Sequence, residues 1–135
     1  MGQTKKKDRI LVVDDDEAIT ELVSQMLIRA GYSAHACTDP YHALYLFSRA
    51  SERFDAVIVD EIMPGMKGTD LTRQLLQIKH DIPVLLVTGH ADMISLEQIR
   101  SSGVYAVLMK PISRERLQEV LRAAFRKRKG RPEFA

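Results

Sequence analysis

Apolar residues along this chain fall into two alternating patterns. Short unbroken runs, "ILVV" (10–13), "AVIV" (56–59), "VLLV" (84–87) and "AVLM" (106–109), with the weaker "SAHAC" (33–37), read as strands buried on both faces. Between them the apolar positions recur every three or four residues. Ile19, Leu22, Val23, Met26 and Leu27 mark a first helix that ends at Gly31, and Ala43, Leu44 and Phe47 mark a second that begins at Asp39 and Pro40, a cap and a first-turn proline. A loop with Pro64, Gly65 and Gly68 precedes a third helix carrying Leu71, Leu75 and Ile78. A fourth helix lies around Leu96 and Ile99 and closes at Gly103; a fifth, capped by Ser113, carries Leu117, Val120, Leu121 and Ala124.

Strands and helices that alternate five times imply an α/β class, a doubly wound parallel sheet with helices on both faces. The 135 residues suit one domain with one sizeable core. Between residues 10 and 125 there are 11 Lys and Arg against 16 Asp and Glu, so the body is acidic and the positive surplus sits in "KKKDR" and "RKRKGR" at the ends. Nucleic-acid readers carry a basic stripe on the folded surface, so no nucleic-acid partner is expected, and the ends read as solvated flanks. No apolar run approaches the ~20 residues of a membrane span, and the start lacks the apolar stretch of a signal peptide, which implies a cytoplasmic protein without a membrane partner. Cys37 is the single cysteine, so neither an internal disulfide nor a cysteine metal site is expected.

In an open parallel sheet, ligands bind beyond the carboxyl ends of the strands. The first strand ends in Asp14 and Asp15, the third in Asp60, the fourth in Thr88 and the fifth in Lys110. Each alone has a bland reading: a helix-start acid, a strand-end cap, a surface lysine. Together they would place three carboxylates, a hydroxyl and an ammonium on one edge. Carboxylates ~4 Å apart repel by roughly 4 kcal/mol at an effective dielectric near 20, so this gathering requires positive charge. A hard, oxygen-rich site of this kind suits Mg²⁺. Asp16 and Glu17 read as first-turn helix acids.

The double acid after "LVV", then "VIVDEIMPGMKG", "VLLVTGH" and "VLMKP", in that order over residues 8–126, resemble the receiver domain of bacterial two-component response regulators. The resemblance implies a flavodoxin-like strand order, 2-1-3-4-5, and a phosphoacceptor, Asp60. It implies Mg²⁺ held directly by Asp15 and Asp60 and by the backbone carbonyl of Ile62, with Asp14 nearby or acting through water. Lys110 would hold a phosphoryl oxygen and Thr88 would donate to another. The implied donor is a sensor histidine kinase or a histidine phosphotransfer protein. The output would be a protein-binding face at about residues 93–124, the fourth helix, fifth strand and fifth helix, also the surface for a homodimer. Residues 1–7 and 127–135 would flank the domain as a basic extension and a tail or linker stub.

Several positions depart from the family. The residue three before Lys110, commonly aromatic, is Val107; Tyr105 is two residues earlier on the same strand face. Lys67 stands where many relatives have aspartate. Ile62 and His90 follow Asp60 and Thr88 by two residues, where family members tune phosphate lifetime, and a bulky Ile62 would hinder an attacking water. Three other readings share the residues: a receiver module of a larger hybrid histidine kinase, a phosphorylation-independent interaction scaffold, and a Mg²⁺-dependent aspartyl phosphatase. The last usually needs a second acid two residues past the nucleophile, which here is Ile62. In the leading reading the chain catalyses only its own phosphorylation and dephosphorylation.

Overall fold

The computed structural model describes residues 6–89 and 94–134, with side chains as far as residue 127. Five strands, β1 (Arg9–Val13), β2 (Ser33–Cys37), β3 (Ala56–Asp60), β4 (Val84–Thr88) and β5 (Ala106–Met109), form one sheet in the order β2-β1-β3-β4-β5. Every pairing is parallel. Five helices join and follow them: α1 (Glu17–Arg29), α2 (Pro40–Ala50), α3 (Gly68–Ile78), α4 (Leu96–Ser102) and α5 (Arg114–Phe134). This is the flavodoxin-like order expected above.

Strand alternation divides the core in two. Leu11, Val13, Val57, Val59, Val84 and Leu86 face α2 and α3, where they meet Ala43, Phe47, Leu71 and Leu75. Ile10, Val12, Ile58, Leu85, Val87 and Leu108 face the opposite way, onto Val23 and Leu27 of α1 and Leu117, Val120 and Leu121 of α5. All five residues of β3 and of β4 are buried, as the unbroken apolar runs require; β2 and β5, at the edges, are partly open.

The caps at Asp39 and Ser113 form as expected: the Asp39 carboxylate accepts from the Tyr41 amide at 3.0 Å and the Ser113 hydroxyl from the Arg116 amide at 3.2 Å. Three apolar expectations fail. Leu22 is 53% exposed, because at 100° per residue it lies a quarter turn or more from Thr20, Val23 and Leu27, the residues α1 buries. Ile78 closes α3 and is 40% exposed, beyond the sheet's cover. Leu96 is 70% exposed at the first position of α4, whose seven residues bury Ser102 and half-bury Ile99. No described helix is long and apolar enough to cross a membrane.

The chain leaves β1 for β2 on one side of the sheet and crosses to β3 on the other. The carboxyl ends of β1 and β3 therefore flank the point where strand order reverses, the place where an open α/β sheet leaves a crevice. Asp14 follows the first of these ends and Asp60 closes the second.

Candidate functional site

Backbone pairing fixes the acids before any side chain does. The Asp14 amide donates to the Cys37 carbonyl at 3.1 Å, carrying the β1–β2 ladder one residue past the strand. The Asp14 carboxylate accepts from the Asp16 amide at 2.9 Å, and Asp16, the N-cap of α1, accepts from Ala18 at 2.9 Å. Asp16 is thus the helix-start acid that its position suggested. Asp60 lies opposite Val87 in register, and Asp14 and Asp60 are both buried while Asp15 is exposed. One carboxylate oxygen from each of Asp14, Asp15 and Asp60 lies within 4.8 Å of the other two.

Lys110 enters from β5. Its amide donates to the Thr88 carbonyl at 2.9 Å, and its ammonium stands 3.0 Å from Asp60 Oδ1 and 3.6 Å from Asp14 Oδ2. The Lys110–Pro111 peptide bond is cis. Thr88 closes β4 and is buried. The five strand-end residues thus gather on one edge. Ile62 lies in the loop after β3 and is 58% exposed. His90 lies outside the described residues, and Lys67 is the residue before α3, exposed and without a capping hydrogen bond.

One ammonium shared by two buried carboxylates leaves negative charge uncompensated. Burial pushes the Asp14 carboxyl above the usual carboxylate range; the Asp16 amide opposes this and the Asp60 charge adds to it. Burial likewise raises Asp60, against the hydrogen bond and charge of Lys110. For Lys110 burial acts downward, but its contacts with Asp60 and Asp14 prevail and hold it above the ordinary lysine value. The wider field has the same sense. Glu17, Asp70, Glu97 and Glu115 occupy first turns of helices at this edge, while Arg29, Arg49 and Arg100 occupy last turns at the other, complementing the helix dipoles. At the far edge burial raises Tyr32, with the Asp8 charge adding to the shift and Arg122 opposing it.

Glu61 is the residue that sequence reasoning missed. It is buried, its carboxylate accepts from the Thr69 amide at 2.8 Å and the Thr69 hydroxyl at 3.2 Å, and its carbonyl accepts from the Gly68 amide at 3.0 Å. It caps α3 from the far side of the loop. The available signal was Lys67, a poor N-cap, which meant that α3 needed an acceptor from elsewhere. Gly68 permits the close approach: a Cβ there would stand 2.4 Å from the Asp60 carbonyl oxygen and 2.9 Å from Leu86 Cδ1.

The response regulator receiver domain profile matches residues 10–122. This chain belongs to that family. The receiver is 37% identical over 119 residues to Response regulator MprA of Mycolicibacterium vanbaalenii, covering 88% of this chain and 51% of that protein. It is 32% identical over 121 residues to the C4-dicarboxylate transport transcriptional regulatory protein DctD of Rhizobium meliloti, covering 89% of this chain and 26% of that protein. The receiver thus spans about half or less of the curated relatives it matches. Among solved structures, a receiver domain protein from Clostridium thermocellum superposes with a TM-score of 0.85 at 26% identity, over 90% of this chain and 97% of that one. Chemotaxis protein CheY4 of Vibrio cholerae gives 0.78 at 29% identity, over 88% and 99%.

Two departures from the family take on a spatial meaning. Val107 is half-buried opposite Leu86 and packs on the α2–α3 side of the sheet. Tyr105 precedes β5 at the end remote from Lys110, where Lys127 stands 5.9 Å from its ring centroid, so it does not occupy the place of the missing aromatic.

Proposed function

We propose that this receiver is a Mg²⁺-dependent phosphoacceptor that takes a phosphoryl group from a histidine kinase or a histidine phosphotransfer protein onto Asp60. The observation that carries this reading is the Asp60 carboxylate itself: buried, 3.0 Å from an ammonium and within 4.8 Å of two further acids. The donor set fits magnesium. It consists of oxygens only, and it retains net negative charge after Lys110 is counted. Asp15 and Asp60, with the Ile62 carbonyl, would hold the ion, and Asp14 would act beside it or through water. When bound, the ion offsets charge on the transferring group and on the acids around it.

This chain's residues do the rest. Asp60 supplies the attacking oxygen: a P–O bond forms as the donor's P–N bond breaks, and the released imidazole takes a proton. Lys110, already hydrogen-bonded to Asp60, orients that carboxylate and meets a phosphoryl oxygen after transfer. Thr88 donates its hydroxyl to another. The charge on residue 60 changes from −1 to about −2, which draws the Thr88 hydroxyl inward and alters the face formed by α4, β5 and α5. That face, which meets a downstream protein or a second copy, carries Val107 where an aromatic would couple it to Thr88. An exposed Ile62 beside the acyl phosphate slows its hydrolysis by obstructing water. The chain acts on itself and turns over no external substrate. Residues 8–126 are the working unit.

Intact-mass measurement after incubation with acetyl phosphate and Mg²⁺ tests the reading. Wild type should gain about 80 Da, and Asp60→Asn or EDTA should abolish the gain. A label that persists in Asp60→Asn, or no label on wild type, would refute it.

A further inference from the structure

The loop between β3 and α3 is held at four places. Met63 and Met66 are buried in the core, Glu61 is tied to Thr69, and the Gly65 carbonyl accepts from the Tyr41 hydroxyl at 2.8 Å. The last tie comes from α2, an element that contributes no group to the acid cluster. Tyr41 is 55% exposed, so burial does not explain its placement. Its backbone is fixed by the Asp39 cap, with Pro40 in the first turn. Its ring lies directly under the loop: a Cβ on Gly65 would come within 3.0 Å of Tyr41 Cε2, and Gly65 itself has φ +86°, which other residues adopt at a cost. The carbonyl that Tyr41 holds is three residues from Ile62, on a short loop anchored at both ends.

We propose that Tyr41 is a positioning residue for the cation site: its hydroxyl fixes the loop so that the Ile62 carbonyl is presented beside Asp60. This rests on the reading of Asp14, Asp15 and Asp60 as a magnesium site. Magnesium tolerates little departure from octahedral geometry, so a carbonyl free to wander costs affinity even when all the acids remain. A purely structural hydrogen bond on an exposed side chain would instead show as a small loss of stability and nothing else.

Tyr41→Phe keeps the ring and removes the hydroxyl. Calorimetric titration of the full chain with Mg²⁺ alone should show a Kd raised about two- to tenfold, the range of one exposed hydrogen bond. The rate of labelling by acetyl phosphate should fall in the same proportion at low Mg²⁺ and return to within about twofold of wild type at saturating Mg²⁺. Exchange of the Gly65 and Met66 amides in EDTA should quicken several-fold, a readout independent of any metal. Tyr45→Phe, one turn along α2, should change none of these. An unchanged Mg²⁺ Kd in Tyr41→Phe overturns the role of Tyr41. A wild-type chain that binds no Mg²⁺ overturns the site reading beneath it, so the two failures are distinguishable.

Discussion

Replacing Asp14 by asparagine removes one charge from the acid cluster and keeps an oxygen for the Asp16 amide. At 4.8 Å two unit charges repel by about 3.5 kcal/mol at an effective dielectric of 20 and about 0.9 kcal/mol in water. The first figure suits buried Asp60 and the second exposed Asp15, so about 4 kcal/mol of repulsion on Asp14 is relieved. Against this stands Lys110 at 3.6 Å, worth about 4.6 kcal/mol at a dielectric of 20. Its side chain is 32% exposed, and solvent reduces that attraction to about 2–3 kcal/mol. Burial of the carboxylate has the same sign as the repulsion and raises its pKa first among all causes. With some strength lost in the Asp16 hydrogen bond, Asp14→Asn should be more stable than wild type in EDTA at pH 7.5 by about 1–2 kcal/mol, or roughly 3–8 °C in Tm. Sign follows from linkage: a carboxyl whose folded pKa is raised destabilises the fold above that pKa and not below its ordinary value of 3.8. The advantage should therefore shrink as pH falls toward 4. Mg²⁺ at ten times its Kd should stabilise wild type by about 1.4 kcal/mol and the variant by much less, narrowing the gap. Urea unfolding in the four combinations of chain and cation measures all of this. A variant less stable than wild type in EDTA would show that Lys110 and the Asp16 amide already compensate the cluster, and the need for a cation would fall with it.

Two further substitutions probe the loop that frames the site. Gly68→Ala places a methyl 2.4 Å from the Asp60 carbonyl oxygen, so the backbone beside the acceptor must shift; a loss of about 2–3 kcal/mol in urea unfolding, with weaker Mg²⁺ binding by calorimetry, is expected. Glu61→Ala strips both acceptors from Thr69 and leaves a buried amide at the start of α3 unpaired, which should cost about 2–3 kcal/mol; Glu61→Gln, which keeps one acceptor, should lose less than half of that.

Strand ends were legible because buried parallel strands write themselves as unbroken apolar runs, and the first polar residue after each run must stand on the ligand-bearing edge. Asp14, Asp60, Thr88 and Lys110 needed nothing more. Helix faces were less legible: an apolar repeat gives a stripe wider than the surface available to it, so Leu22 and Leu96 fit the period and still face solvent. Ties across long stretches of chain were not legible at all. Tyr41 and Gly65 are 24 residues apart, and nothing in either local pattern records the hydrogen bond between them.

Charge shows the same division and explains why the cluster persists. Summed along the sequence, the body is mildly acidic and the ends basic; in space, acids stand in the first turns of α1, α3, α4 and α5 and bases in the last turns of α1, α2 and α4. Helix dipoles account for the surface members of each set, since first-turn acids and last-turn bases are individually favourable. They do not account for Asp14 and Asp60, which are buried, adjacent and raised in pKa despite Lys110. A fold selected for stability alone would neutralise one of them, as Asp14→Asn does. A local rule broken with only partial compensation inside the protein, here from Lys110 and the Asp16 amide, suits a group whose partner arrives from outside. In the phosphoacceptor reading proposed above, that partner would carry positive charge and leave Asp60 able to react, conditions that a divalent cation meets.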